Sequence, residues 1–208
     1  MMHVDTTGAD PSSIARAVTV SHEALRTFVA GMTEAVSRTD DEAVLLEAGL
    51  SLMRDLIGRD DWLPDQLAQP HPQHYQQYLL YGDPLDRFSL VSFVWGPGQK
   101  TPIHNHTVWG LIGVLRGAEC GQHFAFGEHG ITAQGDEVRL EPGDIDIVSP
   151  QLGDIHQVRN AYDDRVSISI HLYGGNIGRI ERNVFDTSGQ VKSFVSGYCN
   201  RMMPNLWA

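Results

Sequence analysis

The 208-residue chain has ten histidines, and two of them, in TPIHNHTVWG at residues 101–110, are spaced to act together. One residue separates His104 from His106. In an extended chain successive side chains alternate faces, so both imidazoles point the same way, roughly 7 Å apart at the backbone. Neutral imidazole is a common metal ligand, and such a pair needs a third donor from another element. His156 is placed to supply it. It lies in PGDIDIVSPQLGDIHQVRN, residues 142–160, where PGD and then SPQLGD form turns. The second turn drops His156 at the start of a strand, opposite the first pair. Other histidines are weaker candidates. His3 and His22 precede the strand-rich body, His71 and His74 sit in a proline-containing linker, and His123 and His129 flank a loop. The competing reading is three structural histidines held in hydrogen bonds.

A second constellation is SISIHLY, residues 167–173. Ser169, His171 and Tyr173 alternate with Ile168, Ile170 and Leu172, so they share one face of a strand. Facing a barrel interior, they would form a hydrogen-bonded relay with its tyrosine hydroxyl near the metal. The same alternation suits an outward polar face equally well.

The elements that must position these groups follow from the pattern. Residues 21–58 read as two helices. Leu25, Phe28, Val29, Met32 and Val36 follow helical spacing, with Ser21 as the expected N-cap. Leu45, Leu46, Gly49, Leu52, Met53 and Leu56 form a second stripe, with Asp40 or Thr39 to cap it and Gly58 to close it. Both stripes are packing surfaces. DDWLPDQLAQPHPQ is a proline-rich connection. Beyond it the runs at 88–95, 108–117, 138–150 and 164–174 read as strands. Short strands at this spacing, in a chain with 21 glycines and ten prolines, suit a sandwich or barrel. The expectation is a helical segment over 1–70 packed on a β-barrel over 71–208, together one compact domain. Composition narrows the classes. A formal net charge of −11 disfavours nucleic-acid and acidic-membrane partners. No apolar run approaches a membrane span. The N-terminal residues have no signal-peptide pattern, and two cysteines, Cys120 and Cys199, cannot build a disulfide framework. A reduced, cytoplasmic protein is expected, with its oligomeric state open.

Two segments carry a resemblance. Gly98, His104 and His106 fit G-x5-H-x-H, and Pro150, Gly153, His156 and Asn160 fit P-x-x-G-x-x-H-x-x-x-N. Together, in order and about 50 residues apart, they resemble the two cupin motifs, which implies a jelly-roll barrel. Most metal-binding cupins add a glutamate three or four residues after the second histidine, and here Trp109 and Gly110 stand there. The ligand set implied is three neutral imidazoles, which leaves three octahedral positions open. Imidazole suits iron, zinc, copper and nickel, so the ligands alone do not choose the metal.

A three-histidine cupin resembles the thiol dioxygenases, and the segments YQQYL, residues 93–117, residues 142–160, SISIHLYGGNIG and FVSGYCN are closest to the bacterial 3-mercaptopropionate type. The resemblance implies Fe(II), oxidation of a small thiol to a sulfinate by dioxygen, and an outer relay of Ser169, His171 and Tyr173. It implies two further departures. Where cysteine dioxygenases have a cysteine that can link to the tyrosine, this chain has Gly110, so no thioether is expected at Tyr173. Where they have an arginine for the substrate carboxylate, this chain has Gln77, a neutral amide in place of a charged fork. Arg182 is the candidate replacement cation, against the alternative of a solvated surface arginine. Within the resemblance, L-cysteine and mercaptosuccinate are rival substrates. Outside it stand a non-catalytic metal-binding cupin sensor and a zinc hydrolase built on the same histidines. The family often carries a cis Ser–Pro bond, but Ser149–Pro150 keeps the low base rate of any X–Pro bond.

Overall fold

In a computed structural model the fold is described for residues 22–128 and 130–207; the expected Ser21 cap, His3 and His129 lie outside the described residues. Helix α1 (Glu23–Arg38) buries Leu25, Phe28, Val29 and Met32, the helical repeat read from the sequence. Helix α2 (Glu42–Ile57) starts at Asp41 rather than Asp40 or Thr39. Asp41 is extended, which lets its Oδ1 accept from the Ala43 and Val44 N–H groups. Thr39 supports the cap from outside, its hydroxyl accepting from the Asp41 N–H at 3.0 Å. Gly58 closes the helix in right-handed geometry, its N–H donating to the Arg54 carbonyl.

Eleven strands follow: β1 (Gln76–Gly82), β2 (Ser89–Trp95), β3 (Ile103–His104), β4 (Gly110–Arg116), β5 (Glu119–Gly127), β6 (Gly130–Leu140), β7 (Ile145–Val148), β8 (Ile155–Asn160), β9 (Ser167–Tyr173), β10 (Arg182–Phe185) and β11 (Val191–Phe194). They pair antiparallel in two sheets, ordered β1-β2-β9-β4-β7 and β11-β10-β3-β8-β5-β6. From β2 to β8 the chain crosses between sheets at every step but one, the β5–β6 hairpin, so the inner strands run 2-9-4-7 facing 3-8-5-6. That order is a jelly roll, the double-stranded β-helix of cupins. The run at 138–150 is broken between β6 and β7, because Pro142 and Gly143 cannot sustain a ladder there.

The helices explain why the central strands of the five-stranded sheet are buried on both faces. All seven residues of β2 and of β9 are buried. Ile168, Ile170 and Leu172 join one core with Leu25, Met32 and Met53 of the helices. Each such aliphatic side chain contributes about 1.5–3 kcal/mol on full burial. Gly49 allows the close approach of α2, since a Cβ there would meet Leu172 Cδ2 at 2.9 Å and Leu111 Cδ1 at 3.0 Å. With that face of β9 sealed by helices, Ser169, His171 and Tyr173 point into the barrel, and the outward polar face is ruled out. No described helix is long and apolar enough to cross a membrane. No cis peptide bond occurs among the described residues, so Ser149–Pro150 is trans.

Candidate metal centre

The barrel brings His104, His106 and His156 together. His104 ends β3 and pairs directly with His156 on β8. The strand stops there, so His106 does not share a strand face with His104 as its spacing suggests. The chain turns instead, with Thr107 at φ 61°, and Asp154 holds the turn. Its carboxylate accepts from the His106 backbone N–H at 2.9 Å, the Thr107 N–H at 2.7 Å and the His106 ring Nδ1 at 2.9 Å. The three imidazole centroids form a triangle 4.8 Å on each side. One nitrogen from each ring lies within 4.8 Å of the others, which makes the group able to hold a metal ion.

All three rings are buried. Burial pushes their pKa values down, well down for His104 and His156, and in those two the neighbouring rings of the cluster push them further. The imidazoles are therefore neutral, the form that binds metal. In two of the rings the second nitrogen is set by a partner. His106 Nδ1 gives its hydrogen to Asp154, and His104 Nδ1 gives its hydrogen to the Pro102 carbonyl at 3.0 Å. In those two rings Nε2 keeps its lone pair, and that of His106 has no partner among the described residues; in His156 the buried nitrogen without a partner is Nδ1. A buried nitrogen acceptor with nothing to accept is what a metal ligand looks like before its ion is counted. Among the described residues no carboxylate belongs to the cluster. His123, set aside in the sequence, lies on β5 beside His156, but its Nε2 is turned to Asp146 at 3.2 Å.

The relay lies across the lumen on β9. Ser169 Oγ is 2.7 Å from His171 Nε2, and His171 Nδ1 is 2.8 Å from the Tyr173 hydroxyl. Phe93 stacks on His171 at 4.2 Å between centroids, and Tyr173 stacks on His106 at 5.3 Å. Tyr173 thus spans from the relay to the histidine triangle. Burial raises its hydroxyl above the ordinary phenol value, so it remains protonated. Gly110 abuts its ring: a Cβ there would meet Tyr173 Cδ1 at 2.8 Å. Cys120 and Cys199 are both free, Cys120 on β5 and Cys199 accepting from the Gln77 N–H at 3.3 Å.

A cavity of about 260 Å³ opens on His104, His156 and Tyr173, and Gln77 and Arg182 line it as well. Gln77 does not present a free amide to it. Its Nε2 donates to Ser196 Oγ at 3.2 Å and to the Gly197 carbonyl at 3.0 Å. Arg182 departs most from expectation. It is 4 % exposed, not a solvated surface arginine, because β10 pairs with β3 at Val184 and His104 and carries its first residue inward. Its guanidinium lies 4.7 Å from the Phe194 ring centroid and donates to Ser196 Oγ at 2.7 Å, while Nε has no partner. Burial lowers its pKa. It has no acidic partner among the described ion pairs. A buried cation without a counter-ion is costly, and this one lies in a wall of the cavity.

Sequence reasoning missed Asp154, Ser196 and the aromatic wall of Tyr75, Phe93 and Trp95. The one available signal was an acid two residues before His156.

No protein-family model matches the chain. Among solved structures, a double-stranded beta-helix protein from Klebsiella pneumoniae is similar at 20% identity over 58% of this chain and 95% of that one, with a TM-score of 0.44. A cupin superfamily protein from Desulfitobacterium hafniense is similar at 14% identity over 57% and 94%, with a TM-score of 0.43. An acetylacetone dioxygenase from Acinetobacter johnsonii is similar at 18% identity over 64% and 83%, with a TM-score of 0.44.

Proposed function

We propose that the protein is a non-haem Fe(II) thiol dioxygenase that converts a small thiol carboxylate to its sulfinate, with 3-mercaptopropionate the favoured substrate and L-cysteine the rival. The observation that carries the reading is a single cavity lined by two imidazoles of the three-histidine cluster, His104 and His156, and by a buried guanidinium without a counter-ion. His104, His106 and His156 would hold the iron, which when bound favours thiolate over thiol and brings dioxygen to the sulfur. Arg182 would take the substrate carboxylate, with Ser196 and Gln77 fixing the guanidinium's place. Tyr173, held by His171, would direct its hydroxyl at the reacting sulfur. Phe93 and Trp95 keep water from that wall. Sulfur supplies the electrons, so no external reductant is needed, and the sulfinate is the second rung of thiol oxidation. The two unpaired cysteines suit a reducing compartment, and cytoplasmic placement is part of the proposal.

Oxygen consumption by the Fe(II)-loaded protein tests the reading, with kcat/KM compared for 3-mercaptopropionate and L-cysteine and sulfinate identified as product. Preference for 3-mercaptopropionate supports it throughout. Preference for cysteine keeps the iron site and overturns the substrate assignment. Uptake with no thiol removes the reading in favour of a binding module, and hydrolysis supported by zinc would replace it.

A further inference from the structure

Glu119, at the start of β5, is fully buried, and neither carboxyl oxygen has a hydrogen-bond partner among the described residues. The polar groups beside it are the Ser169 hydroxyl and the Trp95 indole, which act on it without closing a hydrogen bond; the chain enters β5 against β9, the Ala118 N–H donating to Ser167 Oγ at 3.0 Å. Ser169 and Trp95 belong to the far end of the relay from the metal centre, and the proposed function gives Glu119 no part.

The hydrogen-bonding capacity of Ser169 shows what the carboxyl can do. A serine hydroxyl has one hydrogen to give and two lone pairs. The Trp95 indole, which only donates, fills one lone pair at 3.2 Å. His171 Nε2 takes a second direction at 2.7 Å. Two arrangements remain for a carboxyl that closes on Ser169. In the first, His171 Nε2–H donates to Ser169, the Ser169 hydrogen goes to an ionised Glu119, and His171 Nδ1 accepts from the Tyr173 hydroxyl. Tyr173 then offers only lone pairs to the cavity. In the second, protonated Glu119 donates to Ser169, Ser169 donates to His171 Nε2, and His171 Nδ1–H donates to the Tyr173 oxygen. The Tyr173 hydrogen is then free to point into the cavity. The two differ by one proton. Passing from the first to the second, Tyr173 gains a proton at its oxygen from the cavity side, and each hydrogen moves one place inward until Glu119 is neutral.

We infer that Glu119 is a positioning residue, the inner terminus of a four-member chain Glu119–Ser169–His171–Tyr173, whose protonation decides whether Tyr173 meets the substrate as donor or as acceptor. The inference deepens the dioxygenase reading and rests on it for the role of Tyr173. Burial supports it by pushing the Glu119 carboxyl up to about 8, against which the Ser169 and Trp95 contacts pull only partly back. A carboxyl that keeps its proton holds the chain in its donor arrangement. Of the other titratable groups near it, His171 and Tyr173 belong to the chain, and His123 on the same strand is paired with Asp146. Its register partners Asn160 on β8 and Leu140 on β6 do not titrate.

Infrared titration of the iron-loaded protein tests the stored proton without turnover. The expected result is a protonated-carboxyl carbonyl band that disappears near pH 8, is missing in Glu119→Gln and shifts in frequency in Ser169→Ala. A band that titrates in the ordinary carboxylate range overturns the stored proton, and one unmoved by Ser169→Ala overturns the chain. The pH profile of thiol-dependent oxygen uptake then reads the link to Tyr173. The wild type should lose rate above pH 8, roughly tenfold per pH unit, and Glu119→Gln should lose that limb. An unchanged limb in the variant overturns the link. If the wild type consumes no oxygen with any thiol, the dioxygenase reading fails by itself, and the infrared bands still decide the chain.

Discussion

The two sheets divide the work of the site. All three candidate ligands come from the six-stranded sheet, or from the turn just after it, where β3 is two residues long and β6 is mostly exposed. The relay comes entirely from β9, at the centre of the other sheet, buried on both sides by barrel and helices. The difference teaches that ligand geometry here depends on tethers such as Asp154, while relay geometry depends on packing. Metal binding and proton handling should therefore be separable by mutation.

The largest break is at the ligands. His104→Ala, His106→Ala or His156→Ala should each abolish bound iron in metal analysis while circular dichroism stays native; full iron retention would remove that residue from the centre. Next comes Tyr173→Phe, expected to keep iron and lower kcat by about 10²–10⁴-fold, so that an unchanged rate dismisses the relay from the chemistry. Asp154→Ala probes the tether, with iron affinity falling about 10–100-fold and stability little altered by comparison with Leu172→Ala. That packing change should cost roughly 2–5 kcal/mol of unfolding free energy yet leave affinity for iron near the wild-type value. Loss of affinity in Leu172→Ala comparable to that in Asp154→Ala would erase the distinction between the sheets. The last prediction concerns stability and pH. A carboxyl raised by burial keeps its proton in the folded chain, whereas the unfolded chain ionises near the ordinary 4.5. The unfolded state then binds fewer protons, so stability should fall as pH climbs from there to about 8. Denaturant titrations at several pH values should show this slope in the wild type and its absence in Glu119→Gln.

The sequence made some of this legible for physical reasons. Ser169, His171 and Tyr173 share a face because strand periodicity is local, but which face is inward depended on helices more than a hundred residues away. The three histidines were visible through their turns, although the end of β3 that sends His106 onto a separate path was not. Glycine and proline at 142–143 marked a break that apolar content alone would have hidden. Arg182 was unreadable because its burial arises from the pairing of β10 with β3, 78 residues apart at the Asn105–Asn183 contact. Asp154 and Glu119 gain meaning only from partners 48 and 50 positions distant, beyond any local pattern.

Asp154 also makes the centre observable from outside. One carboxylate gathers the amides of His106 and Thr107 and the ring of His106, so whatever steadies that ring steadies two backbone hydrogens. Thr107 is exposed, and in the metal-free protein its amide should trade hydrogen for deuterium quickly through small local openings. Iron should slow that exchange, which turns a single surface amide into a reporter of occupancy that needs neither substrate nor oxygen.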